Sequence, residues 1–192
     1  HHSDDILVAE MAQNSVNYFR GDLNDVLSRF YEASVSYTPK HIVRITGDCP
    51  LIDPDLIDIV INKHLDSNAD YTSNVFPPTF PDGLDVEVIR FNVLKAINEM
   101  TLLPSEREHV TLHIRKNPHE FEIHNVISEV DYSGKRWTVD NIEDFVLIKR
   151  IFEALYFINN KFTTSDIFEF IRNNSEIESI NSIYKRKNIH CD

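Results

Sequence analysis

The stretch that decides the fold is His41-Ile42-Val43-Arg44-Ile45-Thr46-Gly47-Asp48-Cys49-Pro50-Leu51-Ile52-Asp53-Pro54. Its apolar, largely β-branched first half predicts a strand over residues 42–46. Gly47 and Asp48 follow at the carboxyl end of this strand. We expect this strand to be central, parallel and buried on both faces, because its residues are mostly apolar. Asp53 and Pro54 predict the start of a helix directly afterwards, as N-cap and first helical residue. Ligands of open α/β sheets bind outside the carboxyl ends of the strands, so Asp48 is the first candidate for a functional site.

Strands and helices alternate along the rest of the chain. Helices are predicted over residues 4–14, 22–31 (capped by Asp22), 54–65, 92–100 and 105–115 and through most of the chain after Asp140, and strands over 16–19, 69–74, 84–90, 121–127 and 137–139. This alternation predicts an α/β fold of three layers, in which helices cover both faces of a mainly parallel sheet. We expect residues 1–192 to form a single domain.

The overall composition excludes several classes of function. The chain of 192 residues has a net charge of −12, which repels phosphate backbones and makes nucleic acid an unexpected partner. We interpret the short basic run Lys185-Arg186-Lys187 as a solvated tail. Cys49 and Cys191 are too few for a disulfide framework or a metal-ligand cluster, and they fit a reducing, cytoplasmic location. The sequence has no run of 18 apolar residues, so we expect no membrane partner.

Two aspartates, Asp48 and Asp140, stand at the ends of predicted strands. Mg²⁺ prefers oxygen ligands and usually takes one or two carboxylates together with substrate phosphates, a pattern that these side chains fit. A local alternative remains open for each of them. Asp140 forms a helix-capping pattern with Glu143, and Asp48 precedes Pro50 as turn aspartates do.

Other polar groups have two interpretations each. Asp85 and Glu87 share the polar face of the predicted strand 84–90, which is either a solvated edge or, after the proline-rich loop 76–81, the wall of a pocket. The acidic start of the helix at 105–115 suits the helix dipole and charge pairing on an exposed helix, although Arg107 and His109 are also placed to face an acidic ligand. With only 4 glycines and no glycine-rich phosphate motif, a dinucleotide-binding or P-loop fold is disfavoured.

Several motifs occur in a characteristic order. They are Arg20-Gly21 with residues 25–29, the strand segment 43–53, and the segments 70–74, 81–87, 107–111 and 136–140. In this order they resemble the sugar cytidylyltransferases, and most closely the branch called spore coat polysaccharide biosynthesis protein F, which is related to the CMP-KDO and CMP-acylneuraminate synthetases. The likeness covers nearly the whole chain.

The resemblance implies an α/β nucleotide-binding domain, usually homodimeric, that transfers CMP from CTP to a sugar acid and releases pyrophosphate. It implies that Asp48 and Asp140 are the catalytic residues that bind Mg²⁺. It places a first set at the nucleotide: Arg20, Gly21, Asp25, Arg29, Thr46 and Gly47. It places a second set on the substrate side or, for some members, at the dimer contact: Asp85, Glu87, Glu108, His109 and Arg136.

One part of the family pattern has no counterpart in this sequence, namely the N-terminal strand and the glycine-containing loop that wraps the CTP phosphates. We therefore expect a piece truncated at its N-terminus, weakly active or inactive by itself, because phosphoryl transfer depends on neutralising the developing charge. The leading hypothesis is a Mg²⁺-dependent cytidylyltransferase that acts on a sugar or sugar acid in surface polysaccharide or glycan synthesis. The alternatives are a non-catalytic binding or assembly domain of the same fold, and an enzyme of this fold that uses another nucleotide.

Overall fold

The structure is a computed structural model that describes residues 2–186, so that Lys187 and Cys191 lie outside the described residues. A short 3-10 helix, His2–Asp4, precedes the first α-helix. The α-helices are α1 (Asp5–Gln13), α2 (Val26–Val35), α3 (Pro54–Ser67), α4 (Phe91–Asn98), α5 (Pro104–Glu108), α6 (Leu112–Lys116), α7 (Ile142–Leu155), α8 (Thr164–Asn173) and α9 (Ser175–Glu178). The strands are β1 (His41–Arg44), β2 (Tyr71–Ser73), β3 (Glu87–Arg90) and β4 (Ile123–Asn125).

The four strands form one sheet in the order β1-β3-β2-β4. Strands β2 and β4 are parallel, with Tyr71 opposite Ile123 and Ser73 opposite Asn125. An open sheet accompanied by helices confirms the predicted α/β class. The central position expected for β1 is wrong, because β1 ends the strand order among the described residues and Val43 is 38% exposed.

The chain divides into two compact units, and the first comprises residues 2–42 and 89–121. In this unit α2 packs against α4 and α5, and the rings of Tyr31 and Phe91 stack at a centroid distance of 6.0 Å. Asp25 caps α2 by accepting a hydrogen bond from the N–H of Ser28 at 2.9 Å. The predicted cap Asp22 is therefore wrong; its carboxylate instead accepts from the N–H groups of Asn24 and Asp25 in the preceding turn.

The second unit comprises residues 43–88 and 122–186 and contains the main hydrophobic cluster. Fully buried side chains such as Trp137, Leu147 and Ile151 form its centre. Helix α3 begins as predicted, with Asp53 as N-cap and Pro54 as the first helical residue. Helices α7 and α8 pack against each other, and α8 also contacts α9.

Three predicted elements differ from the structure. Residues 16–20 have no regular structure, because apolar composition makes a strand only where a neighbouring strand supplies hydrogen bonds. Residues 137–139 do not form the predicted strand, and only the preceding residue, Arg136, makes an isolated parallel bridge, to Asp82. The predicted helix 105–115 is split into α5 and α6 near Val110, whose φ is 25°.

None of the helices in residues 2–186 is long and apolar enough to cross a membrane.

Candidate active site

Asp48 lies in the turn after β1, in the second unit, and is tied to the segment that leads to α7. Its backbone carbonyl accepts the N–H of Val139 at 2.9 Å. The Thr138 hydroxyl lies 3.1 Å from both that carbonyl and Asp48 Oδ2. A backbone bond closes the turn itself, from the N–H of Cys49 to the carbonyl of Thr46 at 3.3 Å. The Asp48 carboxylate therefore faces Thr138, and the residue after Val139 is Asp140.

Asp140 is not the helix cap that its spacing to Glu143 indicated. Helix α7 has Asn141 as N-cap and Asp144 as its third residue. Asp144 Oδ2 accepts the N–H groups of Asp140 at 3.1 Å and Asn141 at 3.0 Å. The capping interpretation is wrong by one residue, because an overlapping Asn-x-x-Asp pattern performs the capping. Capping therefore does not occupy the Asp140 carboxylate.

Arg136 connects three carboxylates of the second unit. Its Nε and Nη2 donate to Asp144 at 3.0 Å each, Nη1 donates to Asp82 at 3.1 Å, and Nη2 also reaches Asp140 at 2.8 Å. Burial by itself would lower the pKa of Arg136, but its hydrogen bonds to Asp144 and Asp140 hold that pKa above its ordinary value. The guanidinium, whose side chain is 4% exposed, thus stays charged and fixes its carboxylate partners. Contact between Arg136 and a substrate stays a prediction.

Asp82 is held in this cluster by its backbone as well as its side chain. Its N–H donates to the carbonyl of Lys135 at 2.9 Å, and its carbonyl accepts the N–H of Trp137 at 2.6 Å. Gly83 follows with a φ of 108°, so close that a Cβ there would lie 2.5 Å from the Trp137 carbonyl carbon. Burial raises the pKa of Asp82, Arg186 and Arg136 oppose the rise, and the charges of Asp140 and Asp48 add to it. Asp82 therefore lies within electrostatic range of both candidate metal ligands.

Asp85 pairs with a residue that we expected in a solvated tail. Arg186 Nη2 lies 2.8 Å from each oxygen of the Asp85 carboxylate, and the Arg186 side chain is only 15% exposed. The interpretation of residues 185–187 as a solvated tail is thus wrong for Arg186, because the half-buried carboxylates of Asp82 and Asp85 attract it. Burial raises the pKa of Asp85 to about 6, and the ion pair with Arg186 opposes this rise.

Glu87 does not lie on a solvated edge. It is 4% exposed, forms an ion pair with Arg44 and accepts the hydroxyl of Tyr71 at 2.6 Å. Burial by itself would lower the pKa of Arg44, but the charge of Glu87 raises it. The three side chains link β1, β3 and β2, and a substrate or dimer contact by Glu87 stays a prediction.

The remaining predicted residues of this unit lie in the turn after β1. The Thr46 hydroxyl lies 3.1 Å from Cys49 Sγ, and a Cβ at Gly47 would meet nothing within 4 Å. Burial raises the pKa of the Cys49 thiol to about 12, which makes it an inert core residue.

Four predicted nucleotide residues lie in the first unit. Arg20 donates to Asp5 at 2.6 Å, and Gly21 lies against the side chain of Arg29, whose Cγ would be 2.5 Å from a Cβ at Gly21. Asp25 caps α2 and accepts Arg107 Nε at 2.6 Å. Both Asp25 contacts hold this unit together, and nucleotide binding by residues 20–29 stays a prediction.

Glu108 and His109 also lie in the first unit, where α5 ends. Glu108 is exposed and His109 is half-buried. Their neighbour Arg107 donates hydrogen bonds to Asp25 and to both the carbonyl and the side chain of Asn98. Arg107 thereby connects the start of α2 with the end of α4. A substrate or dimer contact by Glu108 and His109 stays a prediction.

The structure therefore joins four of the predicted site residues, Asp48, Asp140, Arg136 and Asp85, within the second unit. The residues that complete this group were not predicted: Asp82, Thr138, Asp144 and Arg186. Asp82 lies in the quoted motif 81–87, so the motif itself was a usable signal. Arg186 had only a local charge run, which does not indicate a distant partner.

The donor set fits Mg²⁺, since two carboxylates from adjoining backbone segments are what this ion usually takes from a protein. No group of three or more histidine, cysteine or acidic ligands suited to a metal occurs in residues 2–186. A cation here would thus depend on Asp48, Asp140 and oxygens from outside the protein, as the phosphates of a nucleotide would provide.

Comparison with known proteins identifies the family. The sequence model of the family described as cytidylyltransferase matches residues 2–189. The chain is 36% identical over 190 residues to an uncharacterized protein of Methanocaldococcus jannaschii, covering 96% of this chain and 75% of that protein. It is 33% identical over 154 residues to spore coat polysaccharide biosynthesis protein SpsF of Bacillus subtilis, covering 79% of this chain and 63% of that protein.

A solved structure agrees with the sequence comparisons. The cytidylyltransferase from Leptospira borgpetersenii serovar Hardjo-bovis matches with a TM-score of 0.86 at 32% identity, covering 98% of this chain and 76% of that one. This match confirms the α/β fold class, and the matches together confirm the family that the motifs predicted. The chain belongs to the cytidylyltransferase family and thereby to the nucleotidyltransferase enzymes.

Proposed function

We propose that this chain carries out Mg²⁺-dependent transfer of CMP from CTP to a sugar or sugar acid, with release of pyrophosphate, for surface polysaccharide synthesis, at the low rate that its sequence predicts for the chain by itself. Family membership supports the reaction type. The likeness to SpsF, whose name places it in spore coat polysaccharide biosynthesis, supports the pathway class. The family resemblance also leads us to propose a homodimer in the cytoplasm.

The observation that carries the proposal is the pairing of the Asp48 turn with the segment that ends at Asp140. Val139 N–H donates to the Asp48 carbonyl at 2.9 Å, so the two aspartates belong to adjoining stretches of backbone. Asn141 and Asp144 cap α7, so the side chain of Asp140 does not. The proposed reaction needs two carboxylates on adjoining backbone segments, neither of them used to cap a helix.

Asp48 and Asp140 would hold Mg²⁺, which when bound supplies positive charge to neutralise the phosphate oxygens. The protein keeps both carboxylates oriented by hydrogen bonds, from the Thr138 hydroxyl to Asp48 and from Arg136 Nη2 to Asp140. Preorganised ligands of this kind cost little reorganisation during the reaction. Thr138 and Arg136 therefore act as positioning residues for the two aspartates.

Other residues are assigned to the nucleotide and to the acceptor. We propose that Arg20, Gly21 and Arg29 border the nucleotide, because Arg20 and Gly21 precede α2 and Gly21 lies against the Arg29 side chain in its first turns. We propose that Asp85 faces the acceptor, because it is half-buried and adjoins Asp82, which lies near Asp48 and Asp140. The reaction joins an acceptor hydroxyl oxygen to the α-phosphorus of CTP and releases pyrophosphate.

Nucleotide binding tests the proposal directly. Titration calorimetry of the chain with CTP, UTP and GTP, each with and without Mg²⁺, should show Mg²⁺-dependent binding that is strongest for CTP. Pyrophosphate release with a panel of neutral, amino and acidic sugars then identifies the acceptor class. Equal binding of the three nucleotides, unaffected by Mg²⁺, would contradict the proposal.

The Asp140→Asn variant tests the metal role specifically. Mg²⁺-dependent CTP binding should be abolished, while the circular dichroism spectrum and the melting temperature stay close to those of the unsubstituted chain. Asp131→Asn serves as the control, because Asp131 is an exposed turn residue. Unchanged CTP binding by Asp140→Asn would remove Asp140 from the site.

A further inference from the structure

The end of the described chain, residues 181–186, makes polar contacts with Arg136 and with the carboxylates of Asp82, Asp85, Glu143 and Asp144, and we call it the C-terminal strap. Asn181 is 3% exposed, and its Nδ2 donates to the Arg136 carbonyl at 2.9 Å and to Asp144 Oδ1 at 2.8 Å. The Tyr184 hydroxyl donates to Glu143 at 3.0 Å. These two contacts fix the strap beside α7 and bring Arg186 to the segment 80–85.

Arg186 is the third residue of the C-terminal strap that makes polar contacts, and it makes the most of them. Nη2 lies 2.8 Å from both Asp85 oxygens, and Nη1 donates to the Phe80 carbonyl at 3.3 Å. Nε lies 3.9 Å from Asp82 Oδ1. A guanidinium that serves two carboxylates and a carbonyl is held in one orientation.

These contacts complete an alternating series of charges through the second unit. Asp140 pairs with Arg136, Arg136 with Asp82, Asp82 with Arg186, and Arg186 with Asp85. The series runs from a proposed metal ligand to the carboxylate proposed to face the acceptor. Arg186 is the link to Asp85, and it comes from the far end of the sequence.

We propose that Arg186 is a positioning residue of the transfer site, which holds the Asp85 carboxylate in place to accept hydrogen bonds from hydroxyl groups of the acceptor. This inference rests on the proposed function. Each Asp85 oxygen receives one hydrogen bond from Arg186 and keeps capacity for a second, because a carboxylate oxygen accepts two. The 31% exposure of the Asp85 side chain leaves room for such a donor.

Arg186 also acts on the charge of Asp85. Burial and the acidic neighbours Asp82 and Glu87 raise the pKa of Asp85, Arg186 lowers it, and the net value is about 6. The carboxylate is therefore ionised at neutral pH and serves as an acceptor only. Loss of Arg186 would move its titration toward neutrality.

The test compares Arg186→Gln, Arg186→Lys and the control Lys185→Gln, which removes a neighbouring charge on an exposed side chain. In ¹³C NMR titrations, the pKa of Asp85 should rise by about one unit in Arg186→Gln and stay unchanged in Lys185→Gln.

Kinetics with the acceptor found in the pyrophosphate assay provide the second measurement. Arg186→Gln should raise KM for the acceptor roughly tenfold, which corresponds to the loss of about one oriented hydrogen bond, and should leave KM for CTP unchanged. Arg186→Lys should restore the titration better than KM, because Lys keeps the charge but lacks the planar fork.

The outcomes separate this inference from the proposed function. Transfer by the unsubstituted chain, with Arg186→Gln kinetics equal to those of Lys185→Gln, would overturn the role of Arg186 alone. An unaltered Asp85 titration in Arg186→Gln would show that the contact itself is not formed, and would overturn it as well. Absence of both Mg²⁺-dependent CTP binding and transfer in the unsubstituted chain would overturn the proposed function and the inference together.

Discussion

Arg136 donates two parallel hydrogen bonds to Asp144, from Nε to Oδ1 and from Nη2 to Oδ2, both at 3.0 Å. Asp144 is fully buried. Asp144 also accepts Asn181 Nδ2 at 2.8 Å and caps α7, so one buried carboxylate joins three parts of the second unit. A buried charge of this kind is tolerated only when its partners are complete. The same guanidinium holds Asp82 and Asp140, and the stability of the unit is thereby coupled to the geometry of the site.

Replacing Asp144 by Asn should destabilise the protein strongly. The change keeps the shape but removes the charge that faces Arg136 and weakens the helix cap, and the loss of one member of a buried ion pair costs about 3–5 kcal/mol. Urea unfolding measures the free-energy change. Asp140→Asn is the matched comparison, because it makes the same substitution in the same network at a side chain that is 31% exposed, and it should lose far less. Similar losses for the two variants would contradict the central role of Asp144.

The acid limit of stability should follow from the same residue. Burial would raise the pKa of Asp144, but the hydrogen bonds from Arg136 and Asn181 hold it well below its ordinary value. The contribution of Asp144 is thus complete above its unfolded pKa of about 3.9 and is lost as the pH falls below that value. Unfolding free energies measured from pH 7 to pH 3 should decline less steeply below pH 4 in Asp144→Asn than in the unsubstituted chain. Parallel curves would assign the acid sensitivity to other carboxylates.

Sequence patterns predicted the elements that local chemistry specifies. Asp53-Pro54 marks the start of α3 correctly because a cap and a first-turn proline act within a few residues. The start of α7 was misplaced by one residue because two capping patterns overlap at 140–144 and only packing selects between them. The burial of β1 was overestimated because it depends on which strands lie beside it, and apolar side chains do not specify that.

The candidate site divides in the same way. The placement of Asp48 and Asp140 on adjoining segments could be predicted, because each follows an apolar run of the sequence. Their binding of Mg²⁺ stays a prediction. Arg186 could not be predicted, since it lies 101 residues from Asp85 in sequence and its local surroundings resemble an ordinary basic tail. Glu87 was expected on a polar face because the strand alternates, but Arg44 and Tyr71 from neighbouring strands complete a buried polar cluster around it.

Replacing Gly83 by Ala should destabilise the protein and weaken CTP binding. Gly83 has a φ of 108°, and a Cβ there would lie 2.6 Å from the Thr138 nitrogen, which is backbone and does not move aside. Strain of this kind costs on the order of 1–3 kcal/mol, and it would displace the segment whose Thr138 holds Asp48. Thermal unfolding and CTP calorimetry in the presence of Mg²⁺ measure the two effects. Gly134→Ala is the control, because a Cβ at Gly134 would meet nothing within 4 Å. If both alanine variants behave alike, close packing at Gly83 does not constrain the site.

Replacing Glu87 by Gln separates a structural role from an acceptor role for this residue. Gln keeps an oxygen for the Tyr71 hydroxyl but removes the charge that compensates the largely buried Arg44, so we expect a loss on the order of 3 kcal/mol in the free energy of unfolding. Glu129→Gln should leave stability unchanged, because Glu129 is exposed. Urea unfolding measures stability, and KM for the acceptor is then measured at a temperature where Glu87→Gln is fully folded. A large stability loss with unchanged KM would make Glu87 a purely structural residue, whereas a stable variant with a raised KM would place it at the acceptor.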